Sequence, residues 1–241
     1  MYVDMHSHIL PGADHGSDSV KTSLSMLNKA VEAGVDTILS TSHFYMHCDT
    51  VDEFLKRREE SYNELVSAMS AELKSKLNIV LGAEVTLEVD LDRMEGLEKL
   101  CIGNTRNILI EMPLERWTGW VYTALRNIVN ERKLNPIIAH VDRYIGLNPI
   151  EGLANLDLPL QVNARSLAML MGSGKLVRLF DNGYALYLGS DIHMDHLSYD
   201  FYSKAVKKLG SRMEKITHAS RIAVGQIEDD SIRYHSVKKM I

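Results

Sequence analysis

The residues best suited to chemistry come first in the chain. Asp4-Met5-His6-Ser7-His8 runs into Gly12-Ala13-Asp14-His15-Gly16. A short apolar-polar alternation from Tyr2 to Met5 predicts a strand ending at His6 and His8, and side chains two apart on a strand point the same way. Two imidazoles aimed at one point make a metal pair. The same spacing also occurs in solvated loops, and residues later in the chain decide between the two. His43 comes after Ile38–Ser42, Glu84 after Val80–Ala83, and Glu111 after Ile108–Ile110. His140 follows Ile137–Ala139, with Arg143 three residues on, and Asp191 and His193 follow Leu188–Ser190.

With His15, nine candidate ligands result: His6, His8, His15, His43, Glu84, Glu111, His140, Asp191 and His193. Nine are too many for one ion and enough for two or three, with carboxylates bridging. Imidazole with carboxylate suits Zn, Mn or Fe better than Ca or Mg, and the lack of thiolates argues against a structural zinc. Paired ions about 3.5–4 Å apart activate a bridging water and clamp an oxyanion, a chemistry that suits phosphate-ester hydrolysis. Arg143 would stabilise the equatorial oxygens, since a guanidinium grips two at once; its alternative is a rim ion pair with Asp142. His47 and Cys48 read as a solvated loop, His218 as structural and His235 as solvated. His196 is a weaker candidate for protonating a leaving group. Tyr45, Trp117 and Trp120 either line an aromatic rim or cover the mouth of the site.

The ligand positions need a frame that converges strand ends. Strand-like runs fall at Tyr2–Met5, Thr37–Ser40, Asn78–Leu81, Asn107–Ile110, Pro136–Ala139, Pro159–Val162 and Ala185–Leu188. Helix-like runs fall at Ser19–Ala33, closed by Gly34, and at Asp52–Leu73, Val121–Glu131 and Ser203–Leu209. Alternating strand and helix predicts a parallel sheet, and seven strands predict a closed or nearly closed (β/α) barrel with its function at the strand C-termini. Six of the seven predicted strands lead into a His, Asp or Glu, and the sixth ends in Asn163. The loop Ile9–Asp18 reads as non-helical.

The totals agree. The 241 residues, 45% hydrophobic, suit one domain spanning 1–241, with 226–241 a peripheral tail. A net charge of -5 gives no reason to expect nucleic acid. No apolar run would span a bilayer and no signal peptide is evident, so no membrane insertion is expected. Cys48 and Cys101 have no metal-type spacing and read as reduced thiols of a cytoplasmic protein.

The set as a whole resembles the PHP (polymerase and histidinol phosphatase) superfamily. Within it the chain is most similar to the bacterial protein-tyrosine phosphatases of capsule and exopolysaccharide gene clusters. The motifs that carry this are Asp4–Gly12, Thr41-Ser42-His43, Gly82-Ala83-Glu84, Leu109-Ile110-Glu111, Ala139–Tyr144, Gln161-Val162-Asn163 and Gly189–His193. The resemblance implies a distorted (β/α)7 TIM-like barrel and a di- or trinuclear centre, with manganese the first expectation. It implies a phosphotyrosine protein as substrate, with the tyrosine kinase of polysaccharide export as partner. The expected catalytic residues are Arg143, Glu84 and Asp191, and a homo-oligomer is allowed for.

Three departures stand out. His15 replaces an Asp of the usual Asp-Asp-Gly, which shifts the expected metal preference toward softer ions. Asp142 replaces a Glu. His196-Leu197-Ser198-Tyr199 lacks the second arginine common after the closing Asp-x-His. Competing readings are a phosphatase for a small monoester such as histidinol phosphate, a non-catalytic metal-stabilised module, and an amidohydrolase. Intact ligand positions count against the module, and Glu111 in place of a carbamylatable lysine counts against the amidohydrolase.

Overall fold

The computed structural model describes residues 1–148, 150–154, 156–169, 173–194 and 198–228. Along them run β1 (Tyr2–Ser7), α1 (Val20–Glu32), β2 (Val35–Ser40), β3 (His43–Phe44), α2 (Val51–Ala68), α3 (Ala71–Lys76), β4 (Asn78–Leu81) and β5 (Glu84–Thr86). Then come β6 (Asn107–Glu111), α4 (Gly119–Asn130), β7 (Asn135–Ile138), α5 (Glu151–Ala154), β8 (Leu160–Asn163), α6 (Ala164–Ala168), α7 (Ser173–Asp181), β9 (Ala185–Gly189), α8 (Ser198–Leu209) and α9 (Arg212–Ala223). The chain is thus an α/β protein, and all its named strand pairs are parallel.

One sheet has the order β1-β2-β4 and the other β3-β5-β6-β7-β8-β9. All seven predicted strands form. The second and third are β2 and β4, and each continues past a two-residue break, Thr41-Ser42 and Gly82-Ala83, into a short strand outside the predicted runs, β3 and β5. The Glu84 N–H donates to Ser42 O at 3.1 Å, so the paired strands bend together at these breaks. At the far edge β9 returns beside β1: Asp191 N–H donates to His6 O and His8 N–H to Ile192 O, both at 2.8 Å.

The helices form for local reasons. Ser19 caps α1 by accepting from Thr22 N–H. Thr50 and Glu53 form a reciprocal capping box on α2. The predicted helix Asp52–Leu73 is two helices, because Met69 is extended and the Ser70 hydroxyl restarts the chain as α3 by accepting from Leu73 N–H. Helices α7 and α9 lie outside the predicted helix-like runs; α7 buries Leu176, and α9 buries Met213 and Ile216. The loop Ile9–Asp18 is non-helical, as expected.

Two apolar cores result. The larger lies between strands and helices and includes Leu27, Ile38, Phe54, Leu65, Ile110 and Leu125. A smaller one gathers Val3, Met5, Leu39, Leu109, Ile137 and Tyr187 from the other side of the strands. With both faces covered, the strands are near-continuous apolar runs whose polar groups emerge at the C-terminal ends. Of the predicted tail, residues 226–228 are described; His196 and His235 lie outside the described residues.

Candidate metal centre

His6, at the end of β1, is fully buried, and so are His8 and His140. Gln161 on β8 fixes the His6 ring. The Gln161 Oε1 accepts the His140 backbone N–H at 2.7 Å, which identifies that atom as oxygen. It lies 3.1 Å from His6 Nδ1, so His6 donates Nδ1–H and turns a lone pair outward at Nε2. Asp14 does the same for His8, its Oδ2 accepting Nδ1–H at 2.7 Å. The two Nε2 atoms are 3.1 Å apart, and Glu84 Oε2 is 3.0 Å from the first and 3.2 Å from the second. Three acceptors thus converge after the other ring nitrogens are engaged, an arrangement that calls for a cation.

The remaining positions surround Glu84. Register places His43 beside it on the neighbouring strand, with Nδ1 3.3 Å from Oε2. That Nδ1 is buried and without a hydrogen bond, a group left for a metal to satisfy. His140 Nε2 lies 2.7 Å from Glu84 Oε1 and 3.5 Å from Glu111 Oε1. Asp191 Oδ1 lies 3.6 Å from both His6 Nε2 and His8 Nε2. Three overlapping groups emerge: His8, His43 and His193; His6, His8 and Asp191; His43, Glu84 and Glu111, each with ligand atoms within 4.8 Å of one another. Shared His8 and His43 make them adjoining parts of one centre, and the donor set fits transition-metal ions.

His15 falls in none of these three groups. It is exposed, and its ring stacks on His43 and His193 at centroid distances of 4.5 and 4.9 Å. Seven of the nine sequence candidates fall in these groups; His140, outside them, meets Glu84 and Glu111 directly, and His15 stands at the rim. The proposed rim pair of Arg143 with Asp142 is not what Arg143 makes. Arg143 Nη2 donates to Asp191 Oδ2 at 2.6 Å, and Nη1 is 3.7 Å from Glu111 Oε1. Asp142 instead accepts Asn163 N–H and the Ser166 hydroxyl. Trp117 is buried, Trp120 is on the surface, and Tyr45 stacks on His43. His47 is exposed and bonded to Glu88.

The charges follow from this packing. Burial lowers the His8 pKa, but the bonds to Asp14 and Glu84 outweigh it and raise it to about 10. His140 is lowered by burial and raised by Glu111 and Glu84, ending at about 9. Burial alone dominates at His43, brought down to about 4. Burial raises Asp191, yet His6 and His8 hold it at about 2. In the cation-free protein, protons occupy part of the space between imidazoles and carboxylates.

Sequence reasoning left several supporting residues without roles. Asp14 also accepts His43 N–H and Gly16 N–H, each at 2.8 Å. Asp4, buried, accepts from Ser190 N–H and Tyr199 O–H and ties β1 to β9 and α8. Tyr144 Oη accepts Met112 N–H and lies 3.2 Å from His140 Nδ1. Asn163 donates to Asp191 Oδ2. The visible signal was alternation, since Gln161 and Asn163 are spaced as His6 and His8 are. Gly189 has a packing reason as well: a Cβ there would sit 2.6 Å from both Gln161 Nε2 and His6 Cβ. His140 and Asp191 hold φ of 30° and 53°, unusual for residues with side chains.

Fold and centre define the class: an α/β protein whose parallel strands carry an imidazole–carboxylate centre of metal-binding type at their C-terminal ends. Within that class, the chain belongs to the CpsB/CapC family of capsular polysaccharide synthesis, which it matches over residues 2–225. It is similar to the tyrosine-protein phosphatase CpsB of Streptococcus pneumoniae, 32% identical over 146 residues, covering 60% of this chain and 58% of that protein. That alignment thus spans less than two thirds of the pneumococcal protein. The tyrosine-protein phosphatase YwqE of Bacillus subtilis is 27% identical over 203 residues, 79% of this chain and 77% of that one. Among solved structures, one from a study of YwqE and S. pneumoniae CpsB, described as unique metal-dependent tyrosine phosphatases, superposes with a TM-score of 0.77. It is 20% identical and covers 94% of this chain and 95% of that one, a likeness of fold.

Proposed function

We propose that the protein is a metal-dependent phosphatase that hydrolyses phosphotyrosine in proteins and acts in capsular or exopolysaccharide synthesis, its partner substrate being the tyrosine kinase of polysaccharide export. The observation that carries this is the convergence of His6 Nε2, His8 Nε2 and Glu84 Oε2 within 3.0–3.2 Å, with Arg143 bound to the adjoining Asp191. Family membership and the names of the relatives support the choice of substrate.

The groups that would hold ions are His6, His8, His43, Glu84, Glu111, His140, Asp191 and His193, with His15 reaching in from the rim. Two or three divalent ions, manganese first and iron or zinc next, would supply Lewis acidity toward water and the phosphoryl oxygens. The chain's own residues do the rest. Asp14 and Gln161 hold His8 and His6 with lone pairs inward, and Glu84 offers both oxygens between neighbours. The Arg143 side chain, 42% exposed, reaches solvent where a phosphate would enter and carries the charge that equatorial oxygens need most in the transition state. Arg143, Glu84 and Asp191 are therefore the catalytic residues.

The strand arrangement is best read as a distorted (β/α)7 barrel of PHP type. The return of β9 to β1 and the small core of Val3, Met5, Leu39, Leu109, Ile137 and Tyr187 support that reading. We take residues 1–241 as one domain with a tail from 226, and the free thiols Cys48 and Cys101 as those of a cytoplasmic protein. Among the described residues no helix is long and apolar enough to cross a membrane. A small monoester such as histidinol phosphate is the competing substrate. Turnover of a phosphotyrosine peptide against histidinol phosphate decides it: the peptide should be preferred by kcat/KM, and a reversed order rejects the protein substrate.

A further inference from the structure

The two oxygens of Asp191 are not equivalent. Oδ1 faces the centre, 3.6 Å from both His6 Nε2 and His8 Nε2. Oδ2 accepts two donors at once, Arg143 Nη2 at 2.6 Å and Asn163 Nδ2 at 2.7 Å. These donors are held differently. Arg143 ends a single helical turn, Val141–Arg143, and its side chain is 42% exposed. Its other arm, Nη1, stops 3.7 Å from Glu111 Oε1, beyond hydrogen-bond reach. Asn163 ends β8 and is 6% exposed. Its backbone N–H donates to Asp142 Oδ1 at 2.8 Å, and its side-chain Oδ1 accepts from Gln161 Nε2 at 3.0 Å.

One backbone donor settles which way both amides point. The His140 N–H needs an acceptor, so its partner on Gln161 is Oε1. Gln161 Nε2 then faces Asn163, whose nearer atom must be the oxygen, and the Asn163 NH2 group is left facing Asp191. Gly189 leaves the room this needs, since a Cβ there would lie 2.6 Å from Gln161 Nε2. His140, Gln161, Asn163 and Asp191 thus form one directed relay, and His6 Nδ1–H joins it at the same Gln161 oxygen, 3.1 Å away. A flipped Asn163 would set oxygen against carboxylate and NH2 against NH2, so Asn163 can only donate to Asp191.

We propose that Asn163 is a positioning residue, the lasting partner of Asp191, and that Arg143 is the exchangeable one. When the Arg143 fork turns onto a substrate phosphate, Asn163 still occupies Oδ2 and keeps Oδ1 toward the metals. The inference rests on the phosphatase reading for the phosphate that Arg143 meets, and adds a residue to it. Without Asn163, Arg143 can leave Asp191 only by stripping a buried carboxylate oxygen of its remaining donor, which is unfavourable. Phosphate binding and metal binding then oppose each other at Asp191. Without Arg143, Asn163 alone keeps the carboxylate in place.

The test compares the full chain as wild type, Asn163→Ala, Arg143→Ala and the double variant. Asn163→Leu, close to asparagine in size and without its donor, replaces Asn163→Ala if that variant does not fold. Competition of Mn or Zn against a chromogenic chelator gives metal affinity, and calorimetry with inorganic phosphate on the metal-saturated protein gives phosphate affinity. Each single variant should keep a metal affinity close to that of the wild type, whereas the double variant should lose about tenfold or more. Asn163→Ala should bind phosphate about tenfold more weakly than wild type. A merely structural Asn163 would lower the melting temperature of the metal-free protein and leave both affinities unmoved. Single losses in metal affinity that multiply to the double loss overturn the proposal, and so does unchanged phosphate affinity in Asn163→Ala. Neither readout needs turnover, so a wild type that hydrolyses no phosphate ester removes the phosphatase reading and leaves this test intact. A wild type that binds neither ion overturns both.

Discussion

Asp14→Asn isolates the part played by a residue that touches no substrate. Asp14 Oδ2 accepts two donors, His8 Nδ1–H at 2.7 Å and His43 N–H at 2.8 Å, and Oδ1 accepts a third, Gly16 N–H at 2.8 Å. Asparagine offers one oxygen, so at least one of these donors must face an NH2 group. There is no room to rearrange on the Gly16 side, where a Cβ would already lie 2.4 Å from His8 Cβ. The substitution also removes the charge that makes His8 a stronger ligand; burial pushes the Asp14 carboxyl up, but the His8 contact holds it well below the usual range. A mismatched buried donor costs about 1–3 kcal/mol, and losing such a support typically weakens metal binding roughly 10- to 100-fold. Competition against a chromogenic chelator reads the affinity directly. Turnover should recover in large part at saturating metal, and the metal-free melting temperature should fall by about 2–4 °C per kcal/mol lost. Unchanged metal affinity, with the fold intact, would refute the idea that Asp14 sets the His8 ring.

The same geometry carries further outcomes. Arg143→Ala should lower monoester turnover by roughly a hundredfold or more with metal content unchanged, and Arg143→Lys should restore only part, having no planar fork; steady-state kinetics with elemental analysis check both. Glu84→Ala should cost at least about tenfold more turnover than His15→Ala, because Glu84 touches His6, His8, His43 and His140 whereas His15 only stacks at the rim; comparable losses would reverse the roles. Metal uptake near pH 7 should release about one to two protons per chain into weakly buffered solution, since His8 and His140 hold theirs up to about 10 and 9 in the cation-free protein. Both pKa values are raised on folding, so their contribution to metal-free stability is present below the ordinary histidine range and lost as pH rises through 9 to 10. Apparent metal affinity should climb over that interval, and a flat profile would contradict it.

Much of the centre is legible without coordinates because strand ends carry it. An apolar run leading at once into His43, Glu84, Glu111 or His140 announces both the strand and the ligand, and all seven strands form where alternation predicts them. What could not be read depends on contacts between distant segments. Gln161 orients His6 across 155 residues, and Tyr199 reaches Asp4 across 195. The short strands β3 and β5 are not legible, because two or three residues show no period and the polar Thr41-Ser42 and the Gly82-Ala83 before them read as strand ends. The part of Asp14 is hidden as well: within Asp14-His15-Gly16 the imidazole is the evident ligand type, whereas Asp14 supports the His8 ring and His15 stacks on His43 and His193 at the rim. Arg143 was found by its distance from His140, but its partner, Asp191, lies on the far side of the chain and could not be chosen over Asp142.

The central claim is that one imidazole–carboxylate centre holds several transition-metal ions and that phosphotyrosine hydrolysis depends on them. The most direct test is elemental analysis of protein purified without chelator, with phosphotyrosine-peptide turnover measured on the same sample before chelation, after it, and after adding back Mn, Fe or Zn. Two or three ions per chain, with turnover lost and regained alongside them, is the predicted result. Full turnover in protein carrying one ion or none would contradict it.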